Sequence, residues 1–483
     1  MNIKVLAITL LFTFLGYFWL LKKTHPNCEA AAAATMPKVM KVIVTEGDKR
    51  FAEAAPIEFK YGPIGKTTKP TITIDLAKTY QKWLGIGGAP TDAACYMLTT
   101  LQDEPRKKLI HELFSPTEGL GFNFLRIPMG SSDFATHVYS YDDSDEPDPE
   151  LKKFNIDHDK KYILPRLREI LEANPSTLSL MSPWSPPGWM KPNKSMCGGN
   201  MNFTYLDAWV EYFIKTAKAY AAEGVPVYAF TVQNEPDTDQ QGKMPAAMTS
   251  SEVQGAVVAN VARRRDEEKM TFKMWVNDHN YSQFGTVLSL FDNPDVLNAS
   301  DGVAWHGYGG DPAKMTMIHD KYPTKHQYWT EGGPDVLTWE GKPNPDYTQD
   351  FAKWARIIAI TQRNWCRVFI AWNIALDERS HPNIGPFPCG GIVTIDSKSG
   401  DITRSGQYYG MGHFSKYLKR DAVRVASEGD IADVTHVAWV NPDGQKLVVL
   451  VNEGKEARDI CLKVGDEHAE VALAANSVTS LIW

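Results

Sequence analysis

The stretch VPVYAFTVQNEPD, residues 225–237, joins an apolar run to a cluster of polar side chains. Its first half has the β-branched and aromatic residues typical of a buried strand. Asn234, Glu235 and Pro236 follow directly, so a carboxylate stands where the strand leaves the core. Proline disfavours helical geometry in the residue before it, which predicts extended backbone at Glu235. The stretch therefore predicts a strand that delivers polar groups to one edge of a sheet.

The same type of run recurs along the chain between about residues 80 and 418. The runs are WLGIGGA, FNFLRIPM, TLSLMSPW, VYAFTVQ, KMWVND, GVAWHGY, HQYWTE and RVFIAWNI. Amphipathic stretches separate several of them, among them residues 206–223 and 350–364. Strand and helix alternating in this way predict a (β/α)8 TIM barrel. A doubly wound open sheet is the alternative, but it would normally carry an early G-x-G-x-x-G loop, which GIGGAP does not match.

Strand-like sequence also flanks the barrel region on both sides. Residues 38–78 include KVMKVIVTE and TITIDL, and residues 419–483 contain short alternating segments with turns at Asn-Pro-Asp-Gly and Asn-Glu-Gly. The fold class predicted is α/β, a (β/α)8 barrel over residues 79–418 with an additional antiparallel β domain. That domain is built from both chain ends, 38–78 and 419–483.

Residues 1–37 read as a targeting segment with an Ala-rich linker, Ala30 to Ala34. The apolar run 5–21 lies between a lysine at position 4 and two at positions 22 and 23, and its length fits either a cleaved signal peptide or a retained signal anchor. Both alternatives place the protein in the secretory pathway, either lysosomal or extracellular and with anchoring by residues 5–21 left open. Glycosylation sequons at Asn193, Asn202, Asn280 and Asn298 agree with that route.

Charge and cysteine content exclude several functions. The net charge is −7 and no block of Lys and Arg stands out, so a nucleic-acid partner is not expected. Six cysteines are scattered along the chain, and none forms a C-x-x-C pair, so zinc-ribbon or thioredoxin-like chemistry is not indicated.

Polar and aromatic side chains gather at the predicted strand ends, where barrel enzymes carry their chemistry. They are Arg126, Asp133, Trp184, Asn234, Glu235, Asp278, His306, Tyr308, Glu331, Trp372 and Asn373. Each has an ordinary structural explanation by itself, such as a helix-terminal carboxylate or a core aromatic. Their occurrence at the same end of successive strands favours a shared site. Two carboxylates across one barrel mouth suit a general acid and a nucleophile acting on one bond.

A set of ordered motifs resembles a known family. GIGGAPTDAA, LRIPMGSSDFA, SPWSPPGWMK, TVQNEP, WTEGG, AWNIAL and MGHFSKYL are similar to glycoside hydrolase family 30, and within it to the glucosylceramidases. The resemblance runs from about residue 70 to Trp483. It implies a (β/α)8 barrel joined to a β domain formed by both chain ends, as the pattern itself predicts.

The resemblance also implies roles for the strand-end residues. Glu235 matches the acid/base and Glu331 the nucleophile of a retaining β-glucosidase. The implied substrate-binding residues are Asp133, Trp184, Asn234, Tyr308, Trp372, Arg126 and His306. Arg126 and Tyr308 would keep Glu331 ionised, and the charge of Glu331 would raise the pKa of Glu235. No metal or organic cofactor is needed for this chemistry.

The loops depart from the animal glucosylceramidase. Gly332 and Gly333 follow the nucleophile, Gly307 stands where that enzyme has an aromatic residue, and the loops 238–247 and 381–391 differ from it. These loops are expected to meet the aglycone. The function predicted is hydrolysis of glucosylceramide to glucose and ceramide, with a membrane surface and an activator protein as candidate partners. The alternatives are an endo-β-1,6-glucanase or another β-glycosidase of the family, and a catalytically inactive carbohydrate-binding protein.

Overall fold

The computed structural model describes residues 38–63 and 68–483. The predicted targeting segment, with Cys28, lies outside these residues. In the described part of the chain, no helix is both long enough and apolar enough to cross a membrane.

The chain first contributes strands to the β domain. These are β1 (Val39–Glu46), β2 (Lys49–Glu58), β3 (Lys60–Tyr61) and β4 (Thr71–Lys82). Strands β1 and β2 form an antiparallel hairpin, and Gly47 in its turn has a φ of 51°. Glycine takes such left-handed backbone without the steric cost that a side chain would bring.

The next part of the chain forms the barrel. Its strands are β5 (Gly85–Gly88), β6 (Phe124–Pro128), β7 (Leu178–Ser182), β8 (Ala229–Thr231), β9 (Lys273–Asn280), β10 (Gly302–His306), β11 (His326–Glu331) and β12 (Cys366–Ala371). They close into one barrel in chain order, with β12 pairing in parallel with β5. The eight runs recognised in the sequence correspond to these eight strands.

Helices follow the barrel strands. They are α1 (Asp92–Thr100), α2 (Asp103–Phe114), α3 (Asp157–Lys161), α4 (Ile163–Ala173), α5 (Leu206–Ala222), α6 (Ser251–Glu267), α7 (Phe284–Phe291), α8 (Pro294–Ala299), α9 (Ala313–Lys321), α10 (Phe351–Arg363) and α11 (Gly406–Ser415). Local sequence sets several of their starts: Thr91, Ser250 and Ser405 each accept a backbone N–H of the first turn. The two amphipathic stretches noted in the sequence are α5 and α10.

The barrel interior is filled by large side chains. Trp275 stacks on Tyr328 with ring centroids 3.7 Å apart, and Phe124 stacks on Trp275 at 5.9 Å. The packed interior leaves no channel through the barrel. The cavity at the polar strand ends is therefore closed at its base by these side chains.

After β12 the chain forms a small sheet of β13 (Ala375–Leu376), β14 (Val393–Ile395) and β15 (Ile402–Arg404). It then completes the β domain with β16 (Val423–Glu428), β17 (Val434–Val440), β18 (Lys446–Asn452), β19 (Arg458–Val464), β20 (Glu467–Leu473) and β21 (Ser477–Ile482). The strand order is β2-β1-β21-β18-β17-β16-β4-β19-β20-β3. Pairing is antiparallel except between β4 and β19, which run parallel. Strands from the two chain ends thus share one sheet, and the predicted fold class is confirmed.

Buried polar contacts attach the β domain to the barrel. His413 of α11 lies between the hydroxyls of Ser480 and Thr45, with nitrogen–oxygen distances of 2.8 and 2.9 Å. The Trp439 indole donates to the Gln362 side chain at 3.0 Å. These contacts fix the β domain against helices α10 and α11.

Candidate active site

The sequence-predicted site residues meet at the C-terminal edge of the barrel. A cavity of about 460 Å³ is lined by Asp133, Trp184, Asn234, Glu235, Tyr308, Glu331 and Trp372 among others. Arg126 on β6 and His306 at the end of β10 are fully buried behind this wall. The structure therefore brings together all nine predicted residues, which come from six different strands or the loops that follow them.

Arg126 is the central cation of the site. Its guanidinium donates to Glu331 Oε2 at 2.5 Å, to Asn234 Oδ1 at 2.7 Å and to Asp278 Oδ2 at 2.8 Å. It also lies 4.8 Å from the ring centroid of Trp184. A buried arginine with several fixed acceptors holds each of them in one orientation.

Glu331 is the last residue of β11, and both of its carboxylate oxygens receive a donor. Arg126 occupies Oε2, and the Tyr308 hydroxyl donates to Oε1 at 3.1 Å. Hydrogen bonds to a carboxylate stabilise its charged form. The side chain is therefore held in one orientation at the wall of the cavity.

The backbone at Glu235 differs from the prediction. Its φ is 46°, in the left-handed region, although Pro236 follows it. Tertiary contacts outweigh the local preference for extended geometry: the Glu235 N–H donates to the Asp278 carbonyl at 3.0 Å, and Gln240 donates to Glu235 Oε2 at 2.9 Å. Left-handed backbone in a non-glycine residue costs on the order of 1–3 kcal/mol and is common at functional sites.

The predicted rise in the Glu235 pKa is also wrong for the substrate-free site. Burial disfavours the charged form, but the hydrogen bond from His306 and the positive charges of His306, His279 and Arg126 hold the pKa of Glu235 below its ordinary value. The prediction considered the charge of Glu331 and no histidine. His306 Nδ1 lies 3.1 Å from Glu235 Oε1, within hydrogen-bond distance.

His306 and Asp278 form a buried hydrogen-bonded pair beneath both glutamates. His306 Nε2 lies 3.0 Å from Asp278 Oδ1, and although burial opposes protonation, Glu331, Asp278 and Glu235 together raise the pKa of His306 to about 9. Asp278 also accepts from Ser182, Thr231 and Thr330. Burial resists its ionisation, yet Arg126 and His306 hold the pKa of Asp278 far below the usual range. Asp278 is thus the anion that balances the two buried cations.

Asp133 lies at another side of the cavity. It is buried, and its Oδ1 has no hydrogen-bond partner within residues 38–63 and 68–483. Burial and the nearby charges of Glu331 and Glu235 raise the pKa of Asp133 well above its usual value. An unpaired buried carboxyl group is costly unless a ligand supplies its partner.

The loop 381–391, expected at the aglycone, packs on Asp133 as well. The Ile384 N–H donates to the Asp133 carbonyl at 2.8 Å, and a Cβ on Gly385 would lie 2.6 Å from Asp133 Cβ. Backbone therefore closes the cavity next to this carboxylate. Trp184 and Trp372 stack on each other at 5.1 Å beside it.

Sequence reasoning assigned no role to Gln240 and His279. Gln240 is in the loop after β8 and donates to Glu235, while His279 Nδ1 lies 3.5 Å from Glu235 Oε1. The signal for His279 is the unbroken polar run Asn277 to Asn280 at the end of a buried strand. Gln240 carries no comparable signal, because only the path of its loop brings it to the site.

A closed (β/α)8 barrel with two glutamates at the ends of strands four and seven has the arrangement of a carbohydrate hydrolase. Residues 83–418 match the family model for the glycosyl hydrolase family 30 TIM-barrel domain, and residues 421–481 match the model for the family 30 beta sandwich domain. The chain belongs to glycoside hydrolase family 30 and is a glycosidase of that family.

Similar proteins fall into two groups by name. Putative glucosylceramidase 4 of Caenorhabditis elegans is 28% identical, covering 94% of this chain and 91% of that protein. Endo-1,6-beta-D-glucanase of Neurospora crassa is 30% identical, covering 91% of this chain and 93% of that protein. A solved endo-beta1,6-glucanase is 30% identical with a TM-score of 0.82, covering 92% of this chain and 99% of the other.

Proposed function

We propose that the protein is a retaining β-glucosidase in which Glu331 is the nucleophile and Glu235 the acid/base. One observation carries the proposal: Glu331, oriented by Arg126 and Tyr308, and Glu235, oriented by His306 and Gln240, line the same cavity. Two glutamates with separate sets of partners are suited to different roles in one reaction.

The reaction proceeds in two displacements. Glu331 attacks the anomeric carbon while the bond to the leaving oxygen breaks and Glu235 gives that oxygen a proton. Water then attacks the glycosyl ester, Glu235 accepts the water's proton, and Glu331 leaves, so the anomeric configuration is retained.

The proton for the first step is available next to Glu235. The cationic His306 shares a 3.1 Å contact between its Nδ1 and Glu235 Oε1, so a proton can move from the ring to the carboxylate. The ring that remains is neutral and still donates from Nε2 to Asp278, 3.0 Å away. This route supplies a protonated acid even though the resting pKa of Glu235 is low.

A terminal glucose is the sugar we expect in the cavity. Asp133 Oδ1, which has no partner among the described residues, offers an acceptor for sugar hydroxyls, and the Trp184–Trp372 pair gives an apolar surface beside it. Because Ile384 and Gly385 pack directly on Asp133, the cavity closes there and disfavours a chain that continues past this sugar.

Glucosylceramide is our first candidate for the whole substrate. The rim beyond the glutamates carries Trp339, which is 72% exposed and contacts Phe387 edge-on at 6.3 Å, with Ile357 nearby in the cavity wall. Exposed aromatic surface at a cavity mouth can receive apolar chains. The names of the Caenorhabditis elegans relatives support this assignment.

β-1,6-Glucan is the second candidate. Two similar proteins at 30% identity are named endo-1,6-β-glucanases, and the rim also contains the polar side chains of Asp335 and Lys353 beside its aromatics. Such a mixed surface suits a second glucose unit that stacks on one face and hydrogen bonds at its edge.

A two-substrate assay tests the proposal. Proton NMR of aryl β-glucoside hydrolysis should show β-glucose first, and an α-glucose first product would refute retention. Glucosylceramide in detergent micelles and linear β-1,6-glucan are then compared at equal enzyme concentration. Release of glucose and ceramide supports the lipid substrate, whereas oligosaccharides from glucan without glucose from the lipid support the second candidate. The Glu331→Gln variant is the inactive control in both substrate assays.

A further inference from the structure

Two histidines aim the same ring atom at one carboxylate oxygen. Nδ1 of His306 lies 3.1 Å and Nδ1 of His279 lies 3.5 Å from Glu235 Oε1, and one ligand atom from each of the three residues lies within 4.8 Å of the others. His279 is only 7% exposed, and its Nδ1 has no hydrogen-bond partner among the described residues. A buried ring nitrogen without a hydrogen-bond partner points to a missing ligand.

The opposite nitrogen of each ring is bonded to a second carboxylate. His306 Nε2 lies 3.0 Å from Asp278 Oδ1, and His279 Nε2 lies 2.7 Å from Asp237 Oδ1. A proton on Nε2 satisfies each carboxylate, so Nδ1 can coordinate an ion once it carries no proton of its own. Carboxylate–histidine pairs of this kind orient the ligands of protein-bound metals.

Two of the three ligand–ligand distances fit a small tetrahedral ion, and the third lies within 4.8 Å. Bonds of about 2.0–2.1 Å to nitrogen and oxygen place tetrahedral ligands roughly 3.3 Å apart. The two nitrogen–oxygen distances, 3.1 and 3.5 Å, bracket this value. Two imidazoles and one carboxylate suit Zn²⁺ or a similar borderline cation and do not suit Ca²⁺ or Mg²⁺, which prefer oxygen ligands.

We propose that Glu235, His279 and His306 bind one Zn²⁺-type cation, and that this ion inhibits hydrolysis. The fourth coordination position faces the cavity, because Glu235 lines it. The ion replaces the proton between His306 and Glu235 and occupies the oxygen that would protonate the leaving group. Binding rests on geometry alone, whereas inhibition rests on the acid/base role proposed for Glu235.

Metal binding is therefore measured separately from activity. The chelator-stripped full chain is titrated with Zn²⁺ by calorimetry and with Co²⁺ by visible absorption, which reports four-coordinate ligation. We expect one ion per chain. His279→Asn should weaken binding at least about 100-fold and Asp237→Asn about 10- to 100-fold, since removing a supporting carboxylate typically has that effect. Zn²⁺ should also inhibit aryl β-glucoside hydrolysis in the wild type, with EDTA restoring the rate.

Two control variants test whether other side chains of the protein bind the Zn²⁺. His111 is exposed and paired with Glu118, and Cys389 lines the same cavity as Glu235. His111→Asn and Cys389→Ser should bind Zn²⁺ as the wild type does. Absence of a Co²⁺ spectrum, affinity unchanged in both His279→Asn and Asp237→Asn, or affinity lost in Cys389→Ser would overturn the site. Binding at the predicted site without inhibition would instead contradict the role of Glu235 and the inhibitory half of the proposal.

Discussion

Arg126 and Glu331 are 205 residues apart in the chain, yet the guanidinium Nη1 lies 2.5 Å from the carboxylate Oε2. Neither side chain is solvated at this contact, and Arg126 is wholly buried. A buried pair of this kind is stable only when both members keep further partners. Arg126 keeps Asn234 and Asp278, and Glu331 keeps Tyr308. The nucleophile proposed here is therefore oriented before any substrate arrives.

Glu331→Gln should abolish turnover and leave the fold intact. Loss of a nucleophile lowers kcat by roughly four to six orders of magnitude, while the amide oxygen can still accept from Arg126 and the amide NH2 can donate to the Tyr308 oxygen. A mechanism-based glucosyl inactivator followed by peptide mapping checks the assignment. Glu340→Gln, in the same loop region and exposed, is the matched control and should keep full activity. A label on any residue other than Glu331 would refute the assignment.

Glu235→Ala should slow substrates with poor leaving groups far more than activated aryl glucosides. Acid assistance typically contributes about 10²–10⁴-fold and matters only where the departing oxygen needs a proton. A plot of log kcat/KM against leaving-group pKa should therefore be steeper for the variant. Glu252→Ala, on an exposed helix start, should follow the wild-type line. Parallel lines for Glu235→Ala and the wild type would exclude the acid role.

Asp133→Asn should weaken activity on glucosides without lowering the stability of the fold. The substitution removes a buried carboxyl group whose Oδ1 has no partner in the part of the chain that the structure describes, so melting temperature should stay equal or rise. Replacing one acceptor oxygen for sugar hydroxyls with an NH2 donor should lower kcat/KM for glucosides by about 10²-fold or more. Differential scanning fluorimetry and initial rates on one preparation test both effects. Normal activity in a folded Asp133→Asn protein would remove Asp133 from the sugar site.

The stability contributed by His306 should fall in alkaline solution. Its folded pKa is about 9, above the usual 6.5, so the contribution is complete below pH 6.5 and is lost as pH rises through 9. The shift corresponds to about 3 kcal/mol. The stability gap between wild type and His306→Asn, measured by urea unfolding, should narrow between pH 6 and pH 9.5. A gap that stays constant over this range would show that His306 is not charged in the folded protein.

His413, at the domain interface, should change the folding stability with pH in the opposite direction to His306. Burial lowers its pKa to about 3, so the unfolded chain binds a proton near pH 6.5 that the folded chain excludes. Folding stability should then decrease by about 1.4 kcal/mol per pH unit below 6.5 from this group alone. Urea unfolding of His413→Gln, with the same contacts to Ser480 and Thr45 available, should show a shallower decline between pH 6 and pH 4.5. Equal slopes would indicate that His413 becomes protonated in the folded state.

Much of the architecture is determined by the sequence alone. Apolar runs such as 227–233 alternate with amphipathic stretches such as 206–223, and this alternation specifies parallel strands covered by helices. Because all parallel strands end at the same edge, the polar residues that follow them had to converge. The position of Glu235 and Glu331 at one barrel mouth follows from this rule and required no knowledge of side-chain contacts.

Only the tertiary structure determined the backbone conformation, the pKa and the side-chain contacts of those residues. The left-handed backbone of Glu235, its low pKa and its contact with Gln240 depend on β9, β10 and the loop after β8. Local sequence favoured extended backbone at Glu235, and the resemblance implied a pKa raised by the charge of Glu331; both expectations were wrong. Backbone periodicity is a local property that a sequence displays directly. Hydrogen bonds and charge interactions depend on distances between residues far apart in the chain, and those distances exist only once the barrel has closed.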